Sequence, residues 1–137
     1  MWNIKCYVSV RGKNEVQATY DSGNDELKAE LEVELAYLKV RERDEWRRPH
    51  AAKLSKCSEF RDFFEIRIFA NRVQERPIGY FGPRPNDFTI LLWAHEKGGK
   101  LKPDNWCKKA NRLRNEIIDG TATVANLILE GEENAEN

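Results

Sequence analysis

Five side chains in the middle of the sequence are of the types that handle phosphate groups and protons. They are Glu65, Arg67, Arg76, Tyr80 and His95. An arginine guanidinium can hold two phosphate oxygens at once, so Arg67 and Arg76 are the first candidates for stabilising a charged transition state. His95 is the leading candidate for a general acid or base, because histidine exchanges protons near neutral pH. Glu65 is the alternative base, and Tyr80 could stack on a nucleobase or donate to a phosphate.

Two of these residues also have a purely structural interpretation. Arg67 could pair with Glu65 or a neighbouring strand as an exposed ion pair, which contributes only about 0–1 kcal/mol. His95 could cap the end of a strand, which is the commoner role for a single histidine at such a position. The sequence leaves both interpretations open.

The middle of the chain also concentrates positive charge. Residues 41–114 carry eighteen Lys and Arg against ten Asp and Glu, whereas residues 1–40 and 115–137 are both acidic. The basic side chains of one predicted loop and the helix after it suit contacts to the phosphates of a polyanion: Lys97, Lys100, Lys102, Lys108, Lys109 and Arg112. A solvated helix face is the alternative, and it is stronger for the two adjacent lysines of the helix than for the loop. We therefore expect a polyanion-binding surface.

Hydrophobic patterns predict the elements that precede these residues. Apolar side chains at every second position from residue 2 to residue 10 predict a first strand. A leucine stripe of helical period predicts a helix over residues 25 to about 41, after a turn cluster that can supply its N-cap. Residues 51–54 are interpreted as a further helical turn that leads toward the sheet.

Three consecutive strands are predicted next. In the first, one face is formed by Phe64, Ile66, Ile68 and Ala70, and the other by Phe63, Glu65, Arg67 and Phe69. After a hairpin tip at residues 71–72, residues 73–81 return, and Pro77 places this strand at an edge or requires a bulge. Residues 88–94 are apolar on both faces and are predicted to be central. Short connections favour an antiparallel meander.

The remaining sequence predicts one helix and a tail. Pro103 fits the first turn of a helix that ends near Gly120, and its apolar stripe is Trp106, Ala110, Leu113 and Ile117. We expect one α+β domain over residues 1–120, built on a small, twisted, antiparallel-rich sheet. Residues 121–137 are expected to be a short apolar segment followed by an acidic, disordered tail.

The three cysteines, at positions 6, 57 and 107, form no C-x-x-C pair. They are predicted to be reduced thiols, with neither a disulfide framework nor a zinc site. No window approaches the roughly 18 apolar residues of a membrane span, and no leader sequence is recognised. We therefore expect a soluble cytoplasmic protein.

The order of these motifs resembles the RelE/HigB-type toxins of bacterial toxin–antitoxin pairs, in particular the phage-associated branch. In that branch an E-x-R strand, an Arg-bearing strand, an apolar strand, a Lys-rich loop ending in Pro and a helix with A-x-R follow one another. Here they stand as Glu65-Ile66-Arg67, Arg76, residues 90–94, residues 97–103 and Ala110-Asn111-Arg112. The resemblance covers residues 54–117 and implies a RelE-like fold.

The resemblance also implies an activity and partners. The best-known members cut messenger RNA on the ribosome without a metal or cofactor, using the ribose 2′-oxygen as nucleophile, and a cognate antitoxin neutralises them. Some relatives with the same fold instead bind DNA gyrase. A third possibility is a non-catalytic binding protein, because Pro77, Gly79 and Gly98 depart from the pattern of the branch.

Overall fold

The computed structural model describes residues 1–57, 60 and 62–131 of the chain. Its helices are α1 (Glu15–Asp21), α2 (Asp25–Lys39) and α3 (Trp106–Ile118), with a 3₁₀ turn at Arg43–Glu45. Its strands are β1 (Asn3–Val8), β2 (Ala51–Leu54), β3 (Phe63–Ile66), β4 (Ile68–Ala70), β5 (Val73–Phe81), β6 (Asp87–Lys97), β7 (Lys100–Lys102) and β8 (Thr123–Asn126). The predicted α+β class and the predicted antiparallel-rich sheet are confirmed.

One sheet contains all of the described strands. Its order is β2-β3-β5-β6-β1-β8, with β4 paired to β5 and β7 paired to β6. Only the β1–β6 pair is parallel. Helices α1 and α2 bury their apolar side chains on one face of the sheet, and α3 covers the other face. The predicted first strand and central strand are β1 and β6.

Helix α2 confirms the predicted leucine stripe. Its four stripe leucines are buried, and the Asn24 side chain caps its first turn by accepting a hydrogen bond from the Leu27 amide. The helix ends at Lys39, about two residues before the predicted end. Helix α1 was not predicted, because its seven residues bury only Val16 and Tyr20 and so offer too short a pattern.

Replacing Asn24 with alanine should lower the free energy of unfolding by about 1–2 kcal/mol. The change removes the helix cap, and it also removes the side-chain hydrogen bonds of 2.7 and 2.9 Å that join Asn24 to Asn71. Denaturant unfolding measures the difference. Asn86→Ala is the matched control because that side chain is exposed in a turn, and equal stability of the two variants would contradict the capping argument.

The predicted meander is present, with one break. The first predicted strand divides into β3 and β4 at Arg67, whose amide donates to the His50 carbonyl at 2.9 Å instead of joining the ladder. Pro77 of β5 lies opposite this break and has no amide hydrogen to donate. Asn71 and Arg72 form the predicted hairpin tip, with φ of 55° and 65°.

Strand β5 is internal and not at an edge, and the missing amide hydrogen of Pro77 falls at the β3–β4 break. A separate bulge lies in the neighbouring strand β6. The register between β5 and β6 shifts from Ile78–Leu92 to Gly79–Ile90, which leaves Leu91 as the extra residue of the bulge. Phe88 and Ile90 face α1 and α2, whereas Leu92 and Ala94 face α3. The bulge therefore reverses which residues of β6 face each side.

The helical turn predicted for residues 51–54 is wrong. These residues form β2, an edge strand that pairs antiparallel with β3 from Ala51–Ile66 to Leu54–Phe63. Four residues are too few to nucleate a helix, and the pairing gives their backbone groups hydrogen-bond partners. An exposed Lys53 in the middle of the segment is typical of an edge strand.

The helix predicted after Pro103 is α3, and its buried side chains include Ala110, Leu113 and Ile117. The apolar run that follows also belongs to the fold. It forms β8, which pairs with β1, and its Leu127 and Leu129 are buried in the core that α1 and α2 share with the sheet. Residues 132–137 of the predicted acidic tail lie outside the described residues.

Among the described residues, the structure contains no helix that combines enough length and apolar character to cross a membrane.

Candidate functional site

Four charged side chains form an ionic cluster on the face of the sheet that α3 covers. They are Glu65 of β3, Arg67 at the β3–β4 break, Arg76 of β5 and Glu96 of β6. One carboxylate oxygen of Glu65 pairs with the Arg67 guanidinium and lies 3.6 Å from Arg76 Nε. Arg76 Nε also lies 3.5 Å from a Glu96 oxygen. The structure thus brings three of the five predicted phosphate-handling residues together and adds Glu96.

Arg76 is an internal anchor of this cluster. Its side chain is 2% exposed, and its guanidinium donates to the backbone carbonyls of Ile68 and Glu75 and to the Gln74 side chain. Burial and the nearby Arg67 lower the pKa of Arg76, while the two carboxylates of the cluster oppose that shift. Its Nη groups donate to the protein, and its Nε, which has no hydrogen-bond partner within the described residues, is enclosed between two carboxylates, so Arg76 is poorly placed to hold a phosphate.

Arg67 differs from Arg76 in accessibility. Its side chain is 18% exposed and lines hollows on both sides of the β3–β4 break. An exposed Arg67–Glu65 ion pair was the structural alternative for Arg67. The pair exists, but its carboxylate is buried. Arg67 is the member of the cluster whose guanidinium can reach a bound anion.

The larger hollow, called here the main cleft, has a volume of about 540 Å³. It is lined by Glu65, Arg67 and Glu96 of the ionic cluster and by a further carboxylate residue, Asp104. Four cationic residues also line it: Arg48, Lys53, Lys56 and Lys100. The apolar part of its lining is Leu54, Leu101 and Trp106. A concave site with a few convergent charged groups and an apolar wall is the usual form of a ligand-binding site.

His95 lies on the opposite face of β6 from Glu96, and it is exposed. Successive residues of a strand alternate between faces, and the bulge at Leu91 places Glu96 rather than His95 on the side of the ionic cluster. The β6–β7 register sets Lys102 beside His95 and Lys100 beside Lys97. The predicted acid–base histidine and the predicted stabilising arginines are therefore separated by the sheet.

Tyr80 is also outside the main cleft. It shares a face of β5 with Arg76 but lies four residues along the strand, a distance of about 13 Å. Burial raises the pKa of Tyr80, and its hydroxyl has no hydrogen-bond partner within the described part of the chain. Its ring packs near Phe60 and Phe63 in the core beneath α3.

The basic residues of α3 are divided between solvent and ion pairs. Lys108 is exposed, Lys109 Nζ lies 3.8 Å from a carboxylate oxygen of Glu15, and Arg112 donates to Glu116 at 3.1 Å. These pairs are typical of a solvated helix face. None of the three side chains lines the main cleft.

The prediction of three reduced thiols is wrong. Cys57, which follows β2, forms a disulfide with Cys107 in the first turn of α3, and their Cα atoms are 5.5 Å apart. Fifty positions separate them in sequence, so only the sheet topology brings them together. The Asn111 amide donates to Cys57 Sγ at 3.1 Å. Cys6 remains a free thiol, and burial raises its pKa to about 12.

This disulfide joins two segments that line the main cleft. Lys53, Leu54 and Lys56 precede Cys57, and Trp106 precedes Cys107. Glu96 and these lining residues were not predicted as site residues. The antiparallel pairing of two predicted strands brings Glu96 near Arg76, but the face on which Glu96 lies depends on the bulge at Leu91, which the sequence does not show.

Comparisons with known proteins give no match: no protein-family model, no curated protein and no solved structure is similar to this chain. Within the described residues, no group of three or more His, Cys, Asp and Glu side chains is arranged to hold a metal ion.

Proposed function

We propose that this protein is the toxin of a toxin–antitoxin pair, a RelE/HigB-type endoribonuclease that cuts messenger RNA on the ribosome and so inhibits translation in the cytoplasm. The observation that carries the proposal is the placement of Arg67. Its partly exposed side chain lines a cleft that four further cationic residues also line. Such a surface attracts a polyanion and presents a fork that matches phosphate oxygens.

In the proposed reaction the ribose 2′-oxygen attacks the adjacent phosphorus, and the bond to the 5′-oxygen breaks. The products are a 2′,3′-cyclic phosphate and a 5′-hydroxyl end. Arg67 stabilises the extra negative charge on the phosphorane. The 2′-hydroxyl proton passes to a cluster carboxylate, and the leaving oxygen takes a proton from water.

Glu96 is the better placed of the two carboxylates to accept that proton. The Glu96 side chain is 32% exposed and pairs with one arginine. In contrast, one oxygen of the buried Glu65 carboxylate pairs with both Arg67 and Arg76. Arg76 supports the reaction only by holding both carboxylates in position. His95 and Lys97, on the other face of the hairpin, are assigned to contacts with ribosomal RNA phosphates, whereas Lys102 pairs with Asp104 of the cleft lining at 2.6 Å.

The proposed partner that neutralises the toxin is a cognate antitoxin. Its acidic segment would cover the main cleft and compete with RNA for the cationic lining. Charge complementarity of this kind accelerates association and makes binding sensitive to salt.

Arg67→Met should reduce ribosome-dependent cleavage at least 100-fold, because removal of one preorganised charge stabiliser typically costs about 2.7–4 kcal/mol of activation free energy. The free energy of unfolding should fall by only about 1–2 kcal/mol, since Glu65 keeps Arg76 as a partner. Primer extension on a reporter messenger in a bacterial translation extract measures the cuts.

The control for this experiment is Arg84→Met, which removes an exposed arginine of the turn between β5 and β6. It should cut as the wild type does, and reactions without ribosomes should show no cuts. Unchanged cleavage by Arg67→Met would remove Arg67 from the mechanism. A folded wild-type protein that makes no cuts would contradict the nuclease proposal.

A second candidate function is a non-catalytic binding protein of the same fold. The observation that favours it is the charge balance of the ionic cluster, in which two carboxylates already pair with both arginines. An RNA phosphate would have to compete with these carboxylates. Binding of RNA without cleavage, by wild-type protein with ribosomes present, would support this candidate over the first.

A further inference from the structure

The lining of the main cleft is chemically mixed. It contains cationic residues such as Arg48, Lys53 and Lys56, three carboxylate residues, and apolar residues that include Leu101 and Trp106. A site that binds only phosphate groups does not need apolar residues. A nucleotide can contact both cationic and apolar residues, because it joins a charged phosphate to a flat aromatic base.

Trp106 differs from the other three tryptophans of the chain. Trp2 and Trp46 pack in an aromatic cluster with Phe81, and the Trp93 indole donates to Glu75. Trp106 has no aromatic ring partner within the described part of the chain, is only partly buried, and lines the cleft. Its ring is thus the aromatic surface that the site offers to a ligand.

The backbone that carries this indole is held in place before any ligand binds. Trp106 is the first residue of α3, and the adjacent Cys107 is joined by the disulfide to the segment on the other side of the cleft. Because this segment is already ordered, little conformational entropy is lost when a base stacks on the Trp106 ring.

We propose that the main cleft binds one nucleotide of single-stranded RNA, with its base stacked on Trp106 and its flanking phosphates on the cationic lining. This inference rests on the proposed function and specifies its substrate as unpaired RNA. A duplex presents no free base face, whereas a single strand can turn one base into a cleft of about 540 Å³. Glu96 and Asp104, which also line the cleft, can accept hydrogen bonds from base amino groups.

The test measures binding without cleavage. Fluorescence anisotropy would report the Kd of a labelled five-nucleotide RNA whose 2′-O-methyl groups block the reaction, at low salt and without ribosomes. A matched oligonucleotide that lacks the central base is titrated in parallel. The proteins compared are the wild type, Trp106→Ala, Trp106→Phe and the control Trp93→Phe.

Trp106→Ala should weaken binding of the intact RNA by about 5- to 150-fold, the range found for one stacked base. Trp106→Phe should lose less, and Trp93→Phe should bind as the wild type does. Loss of the base should weaken wild-type binding to a similar extent. Trp106→Ala should then have no further effect on the abasic RNA, because the two changes remove the same contact.

Three results would overturn the inference: wild-type protein that fails to bind the RNA saturably, intact binding by Trp106→Ala, or an equal loss by that variant on both oligonucleotides. Saturable binding of an acidic peptide in place of RNA would identify the cleft as a protein-docking site. The readout is independent of catalysis, so base-dependent binding with no cleavage on ribosomes would retain this inference and reject the nuclease proposal.

Discussion

Replacing Arg76 with methionine should lower the free energy of unfolding by about 3–5 kcal/mol, several times the effect of the same change at Arg67. Removing the Arg76 guanidinium leaves two carboxylates facing each other across β5 without the cation between them. Glu65 keeps Arg67 as a partner, but Glu96 loses its cation, and the buried Ile68 carbonyl, the Glu75 carbonyl and Gln74 each lose a hydrogen bond. Breaking a buried ion pair by removing one partner typically has a cost of this size.

Denaturant unfolding of Arg76→Met, Arg67→Met and Arg84→Met gives the comparison directly. Arg84 is an exposed arginine outside the ionic cluster, so its substitution should change stability by less than about 0.5 kcal/mol. The double variant Arg76→Met/Glu96→Gln should recover part of the loss, since Glu96 then carries no unpaired charge. Equal stability of Arg76→Met and Arg84→Met would show that the cluster does not stabilise the fold.

This prediction decides how activity data on the cluster are interpreted. An Arg76 variant is expected to lose activity because it loses structure, whereas an Arg67 variant is expected to stay folded. A double substitution at both positions would confuse the two causes. The catalytic role of the cluster is therefore tested with Arg67 alone, at a temperature where the folded fraction has been measured.

The elements with a long local pattern could be predicted from the sequence. The leucine stripe of α2 and the stripe of α3 follow the helical period over three or more turns, and β6 is apolar over most of its length. Strands β2 and β8 were not predicted, because four-residue segments carry little pattern. They are stabilised by pairing with β3 and β1, and β1 lies at the opposite end of the sequence from β8.

The candidate site was predictable in its residue types but not in its arrangement. Glu65, Arg67 and Arg76 were identified and do meet. Whether His95 or Glu96 faces the ionic cluster depends on one extra residue, Leu91, in the bulge of β6. Without that residue the alternation of β6 would turn His95 toward the cluster and Glu96 away from it.

Reduction of the Cys57–Cys107 disulfide should lower the free energy of unfolding by about 2–4 kcal/mol. The bond closes a loop across a sequence separation of 50 positions, so breaking it returns conformational freedom to the unfolded chain. Denaturant unfolding with and without dithiothreitol measures the loss. The variant Cys57→Ala/Cys107→Ala should have the same free energy of unfolding as the reduced protein, and dithiothreitol should not change it.

Cys6→Ala is the matched control for this experiment, because Cys6 is a free, buried thiol outside the cleft. It should keep the full response to dithiothreitol. If the wild type and the Cys57→Ala/Cys107→Ala variant were equally stable without reductant, the bond would contribute nothing to folding.

The same bond should also affect ligand binding, because it joins the segment that carries Lys53 and Lys56 to the start of α3, which carries Trp106. Once the bond is broken, a ligand must order both segments as it binds, and that ordering weakens affinity by about 0.5–1.5 kcal/mol for each side chain immobilised. We expect the reduced protein to bind the five-nucleotide RNA several-fold more weakly at a temperature where it remains folded. The cytoplasm keeps most thiols reduced, so in the proposed setting the cleft would bind RNA with this lower affinity, and oxidation would raise it. Identical Kd values for the oxidised and reduced proteins would show that packing alone, from Leu54, Leu101 and the core beneath α3, holds the cleft in shape.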